Sequence, residues 1–447
     1  MVVGTVAELR TWLGAARVAA VERERQRTGE IQRDSKFDTL TVIWLCLRVA
    51  AHAATRSLAE IVAQARADLP GDVAFTVSGF CKARQRLSVR WLHQVWGQVV
   101  QQVLGLGKTR HPTYQGLRVY ATDKTTVGLP ETRALWRRFG CHRTSKGLGQ
   151  IAAELITVLD VNWRVPVAWH VLPAASSEKR LIQALYGVLQ RPVLLLMDSG
   201  FYAVAIFREL CRRGAHLLIP MPVNHRPTVL RQLGHGDYLC ELVGYGPRRK
   251  GKRGPRLTLI VRIIYVYRPG FRRRRLVTTL LDPQQYPAAE LAVLYHDRWH
   301  IETFFRDFKH TLSGNRWHCQ TPATFEQELV SLFLLIALTR LAMAQAANAR
   351  GWQPGELSFA GALTAVRVFL AHLTRGHRPV AELYTALVAE CGRHRLRPQP
   401  GRAFLRDTQR RRRRARGLER GRVGRPRKRR ALPPVLRPEL LAGRLLG

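Results

Sequence analysis

Residues 115–220 alternate short apolar segments with two helical stretches, and this order narrows the folds open to the chain more than any other feature. The segments LRVYATD (117–123), IAAELITVLD (151–160) and VPVAWHVLP (165–173) are apolar and bounded by turn residues, which predicts three consecutive antiparallel strands. Ser176 or Ser177 is placed to cap a helix through Leu189. VLLLMD (193–198) is apolar up to its last residue, the pattern of a parallel strand covered on both faces. A second helix over 203–213 stops at Gly214, and HLLIP (216–220) reads as a fifth strand.

The resulting order, β-β-β-α-β-α-β, is that of the ribonuclease-H-like fold. In that architecture the first and fourth strands are neighbours, so an acid on the first, Asp123, and one just past the fourth, Asp198, are brought together. A third acid is expected from a later helix, where Glu302 lies in YHDRWHIETFFRDFK (295–309). On an ideal helix Tyr295, Arg298, Glu302 and Lys309 fall within roughly 60° of arc. Ile301, Phe304, Phe305 and Phe308 occupy a separate arc of about 100°. The helix can therefore bury one side and present to a cleft a carboxylate among two cations and a phenol, a stripe suited to a metal-dependent site acting on nucleic acid. For the helix taken alone, an exposed face with i,i+4 ion pairs such as Arg298 with Glu302 remains the alternative. Asp160, in LDVN, reads as a turn residue between the second and third strands.

Charge points to the partner. Lys+Arg number 73 against 31 Asp+Glu, a formal +42, and the 15 Lys/Arg and 2 Asp/Glu of residues 401–430 account for only +13 of it. A chain basic throughout calls for a polyanion, DNA or RNA. Seven cysteines without metal-ligand spacing suggest reduced thiols, neither zinc nor disulfides. Glu8, Glu22 and Glu24 interrupt the N-terminus, so no secretory signal is apparent. The longest apolar stretch, 329–346, is broken by Arg340 and reads as too short and mixed to span a bilayer. The expected location is cytoplasmic, associated with the nucleoid, with no membrane partner.

The expected organisation is a helical N-terminal DNA-binding domain (1–105), the first part of the catalytic core (115–220), an inserted β-rich subdomain (221–285), the second part of the core with the signature helix (286–350), a helical C-terminal region (351–400) and a basic tail (401–447). Within the first, Ser57 caps LAEIVAQARADL, Pro70-Gly71-Asp72 forms a turn, and the next helix starts near Thr76 or Ser78, together resembling a helix-turn-helix. Lys82, Arg84 and Arg86 are its candidate DNA contacts. Within the insertion, LTLIVRIIYVY and RLVTTLLD read as strands, and GPRRKGKRGPR (246–256, with Arg248, Arg249 and Lys250) and Arg272 to Arg275 as basic loops that hold phosphates. The tail carries GRVGRPRKRR, expected to contact phosphates without reading sequence.

These residues make the chain similar to the DDE transposases of bacterial insertion sequences, in the large family marked by Tyr-x2-Arg-x3-Glu-x6-Lys. Tyr295, Arg298, Glu302 and Lys309 match that spacing at every step, and SGFCKARQRL (78–87), LVTTLLDP (276–283) and TPATFEQEL (321–329) resemble flanking family motifs. Two positions depart from the family pattern: Lys124 stands where a small residue often follows the first Asp, and Ser199 where Arg often follows the second. The resemblance implies that Asp123, Asp198 and Glu302 bind two Mg²⁺ ions about 3.5–4 Å apart, with Mn²⁺ able to substitute. It further implies cleavage at transposon ends, a hairpin intermediate, joining to target DNA, and a homodimer in the DNA complex. Tyr295, Arg298 and Lys309 would grip phosphates and help hold a base out of the stack, beside an aromatic platform that the sequence does not single out. An inactive DNA-binding relative and a structure-selective nuclease on the same fold remain open as alternatives.

Overall fold

A strand of five apolar residues, β5 below, sits at the centre of one continuous sheet, and helices cover both sheet faces. The computed structural model describes residues 13–397 except 14, 30–36, 38, 54, 70–74, 107–112, 145–146, 190–191, 247–253, 268–272, 313, 315 and 374–377. The Pro70-Gly71-Asp72 turn, Arg248, Arg249, Lys250, Arg272 and the basic tail therefore lie outside the described residues.

Among the described residues five helices precede the sheet: α1 (Ala15–Arg27), α2 (Thr39–His52), α3 (Leu58–Asp68), α4 (Val77–Arg86) and α5 (Val89–Gly105). Ser57 caps α3 as expected: its hydroxyl accepts from Glu60 N at 3.2 Å, and the Glu60 carboxylate accepts from Ser57 N at 2.6 Å. Thr76 caps α4. α2 is buried from Thr39 to Ala51, so it is a core helix rather than an amphipathic surface one.

The sheet strands are β1 (Arg118–Gly128), β2 (Cys141–Thr144), β3 (Gly147–Asp160), β4 (Pro166–Pro173), β5 (Val193–Met197), β6 (Ala215–Pro220), β7 (Thr228–Gly234), β8 (Asp237–Tyr245), β9 (Arg256–Val266) and β10 (Arg274–Thr278). Their order is β2-β3-β1-β5-β6-β10-β9-β8-β7, with β4 also paired to β3. β3 pairs antiparallel with both β1 and β4, while β5 runs parallel to both β1 and β6. The expected meander is thus present, with helix α6 (Arg133–Phe139) and the short β2 inserted between its first two strands. α7 (Glu178–Gln183) is shorter than the helix expected through Leu189, because the following amides bond three residues back and wind on as turns. α8 (Val204–Arg212) ends as expected, with Gly214 at φ +78°.

The run expected to form an inserted subdomain extends the central sheet instead. β10 pairs antiparallel with β6, which removes the free edge β6 would otherwise expose, and β9, β8 and β7 follow outward. Arg262 of β9, fully buried, locks this extension in place. It grips the Asp237 carboxylate at 2.5–3.0 Å and donates to the carbonyls of Asp282 and Tyr286, in the segment leading to the signature helix.

After that segment come α9 (Ala288–Leu294), a 3₁₀ turn (Tyr295–Arg298), α10 (Trp299–Arg306), a π turn (Asp307–Thr311), α11 (Pro322–Asn348), α12 (Phe359–His372) and α13 (Val380–Arg393). α11 has 27 residues and is, contrary to the sequence expectation, long and apolar enough to cross a membrane; nearly all of it is buried within the protein, where Arg340 pairs with Asp307 at 3.3 Å. Its Phe333 is an aromatic hub. The Trp169 ring of β4 stacks on it at 5.0 Å, Phe304 and Phe308 of the signature segment lie at 6.2 and 6.0 Å, and Trp96 of α5 meets it edge-on.

The N-terminal helices are fixed to α11 by charge as well as by packing. Arg84 is buried and pairs with Glu328 at 2.7 Å, while Gln327 donates to the carbonyls of Arg84 and Leu87. This corrects the expectation that Arg84 faces DNA: its guanidinium is consumed in the core, whereas Lys82 and Arg86 on the same helix are exposed. Arg84→Ala should cost roughly 3–5 kcal/mol, since Glu328 would be left buried without its counter-ion. Arg84→Met combined with Glu328→Leu should cost much less. Chemical denaturation midpoints of the two variants check this, and equal losses would show that the pair contributes nothing beyond its volume.

Candidate active site

The parallel pairing of β1 with β5 ends at Thr122↔Met197, and the next residue on each strand is an acid, Asp123 and Asp198. Neighbouring strands lie about 4.8 Å apart, so the two carboxylates share one end of the sheet. Beyond this point β1 continues to Gly128 with only β3 beside it, leaving its other edge open at the acids. Asp123 alternates with Ala121 and Val119, whose side chains join the same apolar cluster as Ile301, Phe304 and Phe308. The signature segment therefore covers the face on which Asp123 stands.

That segment is not the regular helix assumed from sequence. Tyr295–Arg298 is a 3₁₀ turn, in which residues three apart eclipse, so Tyr295 and Arg298 stand one above the other. Asp307–Thr311 is a π turn, which re-aims Lys309 relative to an ideal stripe. Tyr295 is 6% exposed and its hydroxyl donates to Met197 O at 3.1 Å. Expected at a phosphate, it instead braces the strand end beneath Asp198, and burial raises its phenol above the ordinary value. Arg298 reaches both acids, with Nη1 3.4 Å from Asp123 Oδ2 and Nη2 2.5 Å from Glu302 Oε1. Lys309 is half-buried, and burial lowers its ammonium against the opposing pull of Glu154.

Burial pushes the Asp123 carboxyl up to about 6; the Lys124 amide, donating to Oδ1 at 2.8 Å, and Arg298 oppose this, while Asp198 and Glu178 add to it. Glu178, at the start of α7, was not singled out by the sequence. Its carboxylate lies over Gly200, where a β-carbon would fall 1.5 Å from Oε2. Asp160 takes the turn role expected of it, accepting from the amides of Asn162 and Trp163 at 3.0 and 2.9 Å.

A cleft of about 1000 Å³ opens beside the acids, lined by Asp198, Glu302 and Arg298 on one side and by Tyr265, Arg226, Arg273 and Arg274 on the other. Arg226, Arg273 and Arg274 are exposed. Arg275 also lines it but spends its guanidinium on the carbonyls of Pro222, Val223 and His225, shaping the β6–β7 loop. Trp299 projects into the cleft at 49% exposure, next to Arg298 in sequence. It is an exposed aromatic at the place where the sequence singled out no platform, and its adjacency to Arg298 was the available signal.

The donor set, three carboxylates, is of the hard-oxygen kind that takes Mg²⁺. Among the described residues, however, no three His, Cys, Asp or Glu side chains are spaced to hold one ion. Between Asp123 and Glu302 lies the Arg298 guanidinium, which supplies positive charge to both. The residues fit a divalent cation in kind, with Arg298 standing in for its charge.

Residues 114–338, from just before β1 into α11, match the family described as Transposase DDE domain. The chain belongs to that family. This transposase is 29% identical over 333 residues to the Transposase InsG for insertion sequence element IS4 of Escherichia coli (strain K12), covering 71% of this chain and 73% of that one. A looser likeness, TM-score 0.42 at 10% identity over 89% of this chain and 84% of the other, is to the piggyBac transposase synaptic complex with hairpin DNA, too distant to carry an argument.

The raised carboxyl of Asp123 has a stability consequence. Its value in the folded transposase, about 6, lies above the ordinary 3.8, so the folded state binds the proton more tightly and loses stability as pH rises from about 4 to 6. Asp123→Asn should therefore raise the melting temperature at pH 8, by on the order of 1–3 kcal/mol of stability at about 1.4 kcal/mol per pKa unit, less what Arg298 loses. The gain should vanish near pH 4. Melting curves of both proteins across that range, without divalent metal, check it.

Proposed function

We propose that this transposase is a metal-dependent enzyme that cuts double-stranded DNA at the ends of a mobile element and joins the freed ends to target DNA, on a ribonuclease-H-like core. The observation carrying this reading is the juxtaposition of Asp123 and Asp198 at the end of the β1–β5 pair, with Glu302 joined to Asp123 through Arg298. The strand order β4-β3-β1-β5-β6 supports the fold, since it has three antiparallel strands followed by two parallel ones.

Asp123, Asp198 and Glu302 would hold two Mg²⁺ ions, or Mn²⁺ in their place, which when bound activate the attacking oxygen and stabilise the leaving one. Arg298 balances the acids before the ions arrive and is then available to a phosphate. Arg226, Arg273 and Arg274 hold the backbone along the cleft wall. Water makes the first nick, the freed 3′-hydroxyl attacks the opposite strand to form a hairpin, and Trp299 stacks a base extruded as the DNA bends. Lys82 and Arg86 meet the element's end, and Arg248, Arg249, Lys250 and the tail add phosphate contacts. Two copies act together on paired ends, in the cytoplasm at the nucleoid.

Asp123→Ala, Asp198→Ala and Glu302→Ala should each lower cleavage and joining more than about a hundredfold, as loss of a transition-state charge stabiliser does, while DNA binding persists. The assay is incubation with Mg²⁺ and a plasmid bearing the DNA that flanks the gene, scored for nicks, hairpins and joined products. A variant that cleaves at a near-normal rate would remove its residue from the site. Trp299→Ala should reduce hairpins relative to first nicks; equal loss of both would leave the ring a role in binding alone.

A further inference from the structure

Lys124, the residue that departs from the family pattern, leads to a second charged site. Its amide holds Asp123, while its ammonium lies 3.8 Å from Glu154 Oε2. Glu154, on β3 in register with Thr126 of β1, is 1% exposed. His142 of β2 brings Nε2 to 3.1 Å from Glu154 Oε1, and the Thr126 hydroxyl donates to both carboxylate oxygens at 3.3–3.4 Å. Lys309 also feels the Glu154 charge. One buried carboxylate thus holds a lysine and an imidazole on the part of β1 that runs past β5. The lysine and histidine remain partly open, at 28% and 37% side-chain exposure. Both side chains thus stand at the surface over one buried carboxylate, one residue from Asp123 and away from the arginine cleft.

We propose that Lys124 and His142, seated on Glu154, bind a single DNA phosphate on the side of Asp123 opposite the arginine cleft, with Glu154 as their positioning residue. The inference rests on the DNA-cutting reading above and adds a site to it. A phosphate fits because a partly exposed ammonium with an imidazole beside it is a phosphate-seeking pair, while a backbone emerging from the acids must pass one side or the other of β1. Glu154 acts by direction: a buried anion accepting from Thr126 cannot turn away, so the two side chains it holds are aimed outward from a fixed point.

The test uses the full chain, binding measured without divalent metal so that it does not depend on cleavage, and a series of duplexes each carrying one neutral methylphosphonate. With the unaltered protein, one position close to the scissile phosphate should weaken binding about tenfold. Lys124→Gln, at a partly exposed position, should erase that sensitivity and lower the slope of log affinity against log salt by about 0.9, one phosphate's worth. Glu154→Gln separates positioning from charge. Loss of an anion beside DNA would by itself tighten binding, whereas loss of the seat removes the single-phosphate sensitivity without tightening, and Glu154→Asp should recover part of it. Lys124→Gln with unchanged slope and sensitivity, or Glu154→Gln that binds tighter with sensitivity intact, overturns the proposal. Failure of the unaltered chain to cleave would instead count against the DNA-cutting reading, since the binding series stands without it.

Discussion

The parallel pairing of β1 with β5 is the constraint on which the rest of the site depends. It ends at Thr122↔Met197, so the register alone makes Asp123 and Asp198 neighbours. A shift of one residue would turn one acid to the opposite face and dissolve the pair. Tyr295 ties the third contributor to the same point, its hydroxyl donated to Met197 O, so the strand end and the signature segment are set by one another.

Around that point the protein spends buried charge freely. Arg262 with Asp237, Arg340 with Asp307, and Arg84 with Glu328 each place a guanidinium in the interior against a carboxylate. Such pairs are costly to break and add little net stability, but each joins segments far apart in sequence. Arg262 binds the sheet extension to the lead-in of the signature segment, Arg340 fixes the π turn from behind, and Arg84 fixes the N-terminal helices to α11. The three acids are thus held by a frame whose joints are directional, whereas aromatic packing at Phe333 supplies its bulk.

The site itself carries the opposite design. Asp123 is desolvated with incomplete compensation, and Arg298 divides its charge between two acids. A carboxylate kept in this condition is poor for stability and well suited to a cation that brings more charge than a guanidinium can. The arginine cleft on one side and the Lys124–His142–Glu154 cluster on the other extend the same electrostatic logic away from the acids.

By itself the sequence determined the order of β1, β3, β4, α7, β5, α8 and β6, the caps at Ser57 and Thr76, the stop at Gly214 and the spacing from Tyr295 to Lys309. These are local matters, written in apolar alternation, capping residues and short-range spacing. What tertiary structure decided lies wherever a side chain chooses among distant partners. Arg84 reads as a surface cation on its helix, and only Glu328, 244 residues away, takes it inside. Tyr295 reads as part of an open stripe until the 3₁₀ turn and Met197 bury it. The insertion reads as separate strands until β10 finds the edge of β6, and Lys124 as an oddity until Glu154 arrives from the neighbouring strand. Pairing across the fold has no short-range signature in one sequence, because nothing in either partner's local pattern records which distant charge, carbonyl or strand edge will be brought against it.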